Sequence, residues 1–152
     1  MNDAITKIQA LEPLLREVLF TLGEDPEREG LKKTPQRWAE ALVSYTQGTN
    51  QSPEDHLNVM FELGEHEYPA QTDDMVIVDN IEFVSTCEHH MAPFRGVAHI
   101  AYIPNPETRR ITGLSKLSRL VEVFSSRLQI QERMTNQIAK AIDEILLPLG
   151  AI

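Results

Sequence analysis

The 152-residue sequence has a single cysteine, Cys87, far fewer bases than acids, and no long apolar run. Each shortage excludes something. One cysteine can form no internal disulfide, which removes the disulfide-stapled secreted scaffolds, and it cannot make a self-contained cysteine-rich zinc finger. Fourteen Lys and Arg stand against 23 Asp and Glu, a formal net charge of −9. Such a surface repels polyanions, so neither nucleic acid nor an anionic membrane is expected as a partner. No apolar stretch approaches the ~18 residues of a membrane span. The N-terminal MNDAITKIQALEPLL carries acids and no uninterrupted apolar core, so it does not read as a signal peptide. A cytoplasmic location is expected. What is present is globular: 41% of residues are hydrophobic, and the length suits one domain with a real core.

Periodicity predicts helices first. Ile5, Ile8, Leu11, Leu15, Val18, Leu19 and Leu22 recur at three and four over residues 3–22, with Pro13 expected to kink the helix or mark a second start. Gly23 is the expected stop. EDPEREGLKK reads as a loop or short turn. A second helix then opens with Thr34 as N-cap and Pro35 at the first position, presents Trp38, Leu42 and Tyr45, and ends near Gly48. Residues 49–74 read as a connector with a short helix around 53–60. From Met75 the character turns to strand: Met75–Val78, a break at Asp79-Asn80, then Ile81–Thr86. A second strand is expected over Gly96–Pro104, with Val97, His99, Ala101 and Ile103 on one face, followed by a turn at Asn105-Pro106. Two helices follow, one from about Leu114 and one over about 130–147. The division expected is a helical region with connector, 1–74, and an α+β region, 75–152. Two strands alone make a poor sheet for two helices to cover.

Three clusters could carry chemistry. Cys87-Glu88-His89-His90 places a thiol and an imidazole three residues apart, a spacing from which a turn can present both to one metal, and zinc suits that pair best. The bland reading is a small buried cysteine and loop histidines. Glu88 reads as an orienting group or a surface charge. Gly113-Leu114-Ser115-Lys116, with Arg119 one turn on, could bind phosphate: Ser115 as helix cap, Lys116 and Arg119 on one face. Taken alone, the pattern reads first as an ordinary capped helix with solvated basic residues. In Gln131-Glu132-Arg133 the adjacent Gln and Glu could read the polar edge of a purine, since a carboxylate accepts ring and exocyclic N–H groups; helix N-terminal acid bias, with Glu132 complementing the dipole, explains the same residues. His56 and His66 suggest nothing, and His99 reads as a hydrogen-bonded structural histidine.

Taken together and in this order, the clusters resemble GTP cyclohydrolase I. The stretches EDPEREGLKKTPQRW, STCEHHMAPFRGVAHIAYIPN, GLSKLSRLVEVFSSRLQIQERMT and QIAKAI look like motifs of that family. The resemblance implies the tunnelling fold, an α+β unit of strand–strand–helix–helix–strand–strand, here preceded by an N-terminal helical region and lacking its last two strands. Such units assemble into rings, typically homodecamers with active sites between subunits. The reaction implied is conversion of GTP and water to formate and 7,8-dihydroneopterin triphosphate, the entry to folate and pterin synthesis. Carried over residue by residue, Cys87 and His90 would be zinc ligands and His89 the catalytic histidine beside the purine imidazole. Ser115, Lys116 and Arg119 would hold the triphosphate, with Ser115 also assisting the ribose rearrangement. Gln131 and Glu132 would hold the guanine edge, Glu132 being the specificity anchor.

One departure bears on that carry-over. The family's third zinc ligand is a second cysteine in a downstream motif, His-x-Cys-x-x-x-Arg-Gly, and no second cysteine is present here. The expectation is that these residues are the N-terminal two-thirds of a longer protein. For a chain of 152 residues standing alone, it would be weak or absent zinc binding and no cyclohydrolase activity. A non-catalytic chain that keeps a nucleotide pocket or an assembly interface is the alternative. A nitrile reductase of the related queuosine pathway fits the CEHH, GLSK and QER segments less well.

Overall fold

A computed structural model describes residues 2–57, 60–62 and 75–152. Much of the expected connector, His66 included, lies outside the described residues. Two compact units divide the chain, one up to Thr46 and one from Gln47.

The first unit is a helix pair. Helix α1 (Asn2–Thr21) runs as one element through Pro13 rather than starting twice. Pro13 and Gln9 are both exposed, so the carbonyl that a proline ring deprives of its donor faces water. Gly23 ends the helix as expected, at φ 86°, with its N–H donating to Phe20 O at 2.9 Å and that of Glu24 to Leu19 O at 3.1 Å. Helix α2 (Thr34–Tyr45) differs from expectation at both ends. Lys33 is the N-cap, without a side-chain bond, because Thr34 Oγ1 turns back to Gly30 O at 3.5 Å. The helix also stops at Tyr45, short of Gly48. The shorter α2 covers only part of α1. Leu15 and Leu19 are buried, while Ile5, Val18 and Leu22, expected on the packed face, are exposed.

The second unit is α+β. A 3-10 turn (Gln47–Asn50) and helix α3 (Pro53–Leu57) lead to strand β1 (Met60–Glu62). Strand β2 (Val76–Cys87) joins the two predicted runs into one, since the break at Asp79-Asn80 is a bulge with Asn80 at φ 55°. The His99 imidazole Nδ1 accepts the Asn80 N–H at 3.3 Å, the structural role expected of it. Strand β3 (Pro93–Ile103) pairs antiparallel with β2. Ala98, Ile100 and Tyr102 face the core, while Val97 and His99 are exposed on the opposite face. Strand β4 (Arg110–Thr112) pairs with β1. Helix α4 (Leu114–Ser125), strand β5 (Leu128–Gln129), helix α5 (Gln131–Leu146) and strand β6 (Gly150–Ala151) complete the order. The larger sheet reads β5-β2-β3-β6. Its β5–β2 pair is parallel and the others antiparallel. The poor two-stranded sheet is therefore widened by a two-residue strand at each edge.

Helices α4 and α5 cover one face of this sheet. Leu117, Leu120, Val121 and Phe124 from α4 and Met134, Ile138, Ala141, Ile142 and Leu146 from α5 pack on Ile81, Ile100 and Tyr102. Arg127, just past α4, ties the 3-10 segment to this core. Its guanidinium lies 4.6 Å from the Phe124 ring centre and donates to Val123 O at 3.2 Å and Gln51 O at 2.9 Å. Gly48 sits against the same corner, its N–H on Ser126 O at 2.9 Å. A Cβ there would meet Val123 O at 2.1 Å. Gly48→Ala is therefore expected to cost about 1–3 kcal/mol, the range for overpacking a filled site, read as a lowered urea midpoint. An unchanged midpoint would mean the segment gives way freely. No helix among the described residues is long and apolar enough to cross a membrane.

Candidate active site

The short strand β5 builds the site. It pairs with the end of β2 through Thr86↔Leu128 and Cys87↔Gln129, so the residues leaving β2 and those entering α5 emerge side by side. The turn after β2 is closed by Cys87 N–H on Ala92 O at 2.8 Å and Met91 N–H on Cys87 O at 2.9 Å. Met91 takes φ 58° to close it, an unfavourable backbone for a residue with a Cβ. Glu88 N–H donates across to Gln129 O at 3.0 Å. The result is one cleft of about 420 Å³, lined by Cys87, His89, His90, Gln129, Gln131 and Glu132 among others.

Within it, Cys87 Sγ lies 3.8 Å from His89 Nδ1. Cys87 is half-buried, whereas His89, His90, Gln131 and Glu132 are exposed to the cleft and solvent. Gln129 is buried and fixed: its Nε2 donates to Phe124 O at 3.1 Å and to Gln137 Oε1 at 2.7 Å. Its Oε1 is a buried acceptor without a partner among the described residues.

Glu88 is an ion-paired carboxylate rather than a lone surface charge. Both of its oxygens accept from Arg133, Oε1 from Nη2 at 2.7 Å and Oε2 from Nη1. The hydrogen bonds from Arg133 hold the Glu88 carboxyl below its ordinary range, and those to Glu88 raise the Arg133 guanidinium. The sequence alone assigns no role to Arg133 or Gln129. Both acquire one through β5, and two residues carry too little pattern to announce a strand.

The donors suit zinc in kind, one thiol and two imidazoles on a single turn. In arrangement they fall short: no three His, Cys, Asp or Glu side chains among the described residues converge closely enough to hold a metal ion.

The phosphate candidates lie elsewhere on the unit. Helix α4 begins at Leu114 with Gly113 as its N-cap and no side-chain cap bond, so Ser115 is in the first turn rather than capping it. Lys116 N–H donates to Gly113 O at 2.8 Å. Ser115, Lys116 and Arg119 do not line the Cys87 cleft. Arg119 borders a separate recess of about 350 Å³ with Glu82, Ser118 and Glu122.

Comparison with known proteins decides what this pairing of turn and helix start belongs to. A family described as GTP cyclohydrolase I matches residues 11–152. The chain belongs to the GTP cyclohydrolase I family. It is 52% identical over 141 residues to a protein of Streptomyces griseus named GTP cyclohydrolase 1, covering 93% of this chain and 66% of that protein. A protein of the same name from Deinococcus radiodurans is 51% identical over 140 residues, 92% of this chain and 61% of its own length. One from Porphyromonas gingivalis is 55% identical over 136 residues, 90% and 66% respectively. The chain thus spans 61–66% of the length of these relatives, and its CEHH turn and QER helix start fall within the part that family membership covers.

Proposed function

We propose that the protein carrying this chain hydrolyses the imidazole ring of GTP and rearranges the product to 7,8-dihydroneopterin triphosphate, releasing formate. The observation that carries this reading is the cleft in which β5 sets Cys87, His89 and His90 beside Gln131 and Glu132. Ring opening needs a nucleophile at C8, proton transfer to the ring nitrogens, and a grip on the guanine edge. Zinc, held by Cys87 and His90 with a further ligand from outside the described residues, would supply the Lewis acidity that makes water a nucleophile near neutral pH. His89 moves protons at the imidazole nitrogens, a task an imidazole side chain suits. Glu132 accepts from the guanine ring N–H and amino groups, and Gln131 adds amide contacts. Cys87 lines the cleft and is half-buried rather than free in solvent.

The triphosphate must be held by cations that an otherwise acidic surface lacks. Ser115, Lys116 and Arg119 suit it chemically, yet they stand away from the cleft within one copy. This separation supports a site completed between copies, in which one subunit's α4 start faces its neighbour's cleft. It accords with a tunnelling-fold unit, β2-β3 followed by α4 and α5, assembled into a ring-forming homodecamer in the cytoplasm. In that setting Ser115 also serves the ribose rearrangement.

A second reading, nucleotide binding or assembly without turnover, is favoured by the failure of three metal donors to converge among the described residues. The separating experiment is incubation with GTP, oxidation of the products, and fluorescence detection of pterin, alongside metal analysis. Turnover with about one zinc per chain is expected. GTP binding without pterin and without zinc would support the second reading and overturn the first.

A further inference from the structure

We propose that Glu88 and Arg133 form a clamp that positions the metal-binding half of the cleft against its guanine-binding half; it rests on the function proposed above. The two residues are 45 positions apart in sequence, yet their side chains meet in a two-point pair, with Arg133 Nη2 donating to Glu88 Oε1 at 2.7 Å and Nη1 donating to Oε2. A planar guanidinium on a carboxylate fixes orientation as well as distance, which a single-point contact from lysine would not. Each partner is next to the residues it would position. Glu88 lies between Cys87 and His89, and Arg133 directly follows Gln131 and Glu132. The Glu88 backbone is held to the same junction by its N–H on Gln129 O, so the clamp closes at the tip what the β5 ladder closes at the base. Neither side chain lines the cleft, which makes them positioning residues rather than groups that touch substrate.

The reason such a pair is needed lies in the elements it joins. The turn holds an unfavourable backbone at Met91, and β5 pairs with β2 over only two residues. Histidines on a turn so lightly anchored would swing relative to α5, and a catalytic set displaced by an ångström loses much of its rate.

The test uses Glu88→Gln, Arg133→Gln and the exchanged double variant Glu88→Arg with Arg133→Glu. Two probes are titrated separately, Zn²⁺ against a chelator and GTP by fluorescence. If the charges act only through their fields, the two single variants move each affinity in opposite directions, because one removes a negative charge and the other a positive one. The clamp predicts the same direction: both single variants weaken both affinities by about tenfold, the low end for groups that orient metal ligands, and the exchanged pair recovers most of the loss. Hydrogen exchange in the ligand-free protein supplies an independent reading. The Glu88 and Met91 amides are expected to exchange about tenfold faster in each single variant, with the melting temperature held. Opposite shifts in affinity, or unchanged exchange at those amides, would overturn the clamp. Wild-type protein that binds neither Zn²⁺ nor GTP would overturn the functional reading instead, and the exchange rates would still decide the clamp.

Discussion

Cys87→Ala is expected to strip the protein of zinc and end turnover while leaving the fold standing. A thiolate contributes the strongest of the proposed metal bonds, and its loss should lower zinc affinity by more than the ~100-fold upper range for altering an outer-sphere partner. Stability should change by less than about 1 kcal/mol, because a half-buried cysteine behaves as a small apolar side chain. The two histidines should then separate. His90→Ala is expected to lose zinc like the cysteine variant. His89→Ala should retain zinc and lose turnover by about 10²–10⁴-fold, the usual contribution of a general acid–base group. The contact of Cys87 Sγ with His89 Nδ1 at 3.8 Å makes this comparison pointed: zinc lost from the His89 variant and kept in the His90 variant would reverse the two assignments. Metal analysis after gel filtration, with a thermal melt on each variant, reads all three.

Glu132→Ala is expected to separate guanine recognition from metal binding. Glu132 is exposed at the start of α5 and lines the same cleft as the CEHH turn. Its carboxylate would accept two N–H groups from the guanine edge, and charged hydrogen bonds contribute about 1.5–3 kcal/mol each. Removing it should weaken GTP binding by about 10²-fold or more and erase most of the preference for GTP over ATP, whose purine edge presents a different donor pattern. Zinc content should not change. Competitive binding of the two nucleotides, with metal analysis on the same samples, checks both halves. Loss of zinc in this variant would count against a role confined to the base.

The division of labour between pattern and pairing explains what could be read from the sequence. The helices α1, α4 and α5 were legible because apolar residues recur at three and four over many turns. Strand β2 was legible from its β-branched runs, and β3 from the alternation of Val97, His99, Ala101 and Ile103. Even the bulge at Asp79-Asn80 left a mark, as an interruption in an otherwise continuous strand. Strand β5 left none: Leu128 and Gln129 pair with Thr86 and Cys87 for reasons that exist only in three dimensions. That pairing makes one cleft of CEHH and QER, so the site's residue types could be named from sequence while their meeting could not. The same holds for Glu88. Beside two histidines it could be an orienting group or a solvated charge, and only Arg133, far along the chain, decides. The cap at Ser115 fails for a local reason. Gly113 adopts an extended backbone, φ −64° and ψ 138°, and serves as the N-cap itself, which leaves the serine hydroxyl in the first turn and free for other contacts.

The placement of Ser115, Lys116 and Arg119 away from the Cys87 cleft fits the reading of a site shared between copies. On that reading, activity is expected only from the assembled protein. The most direct measurement is nuclear magnetic resonance of GTP labelled with ¹³C at C8, followed during incubation with the zinc-loaded protein. The account predicts that the C8 signal leaves the purine position and appears as formate, one for each GTP consumed, and that a zinc chelator stops it reversibly. A C8 signal that stays in the purine ring, with zinc and GTP both bound, would contradict it.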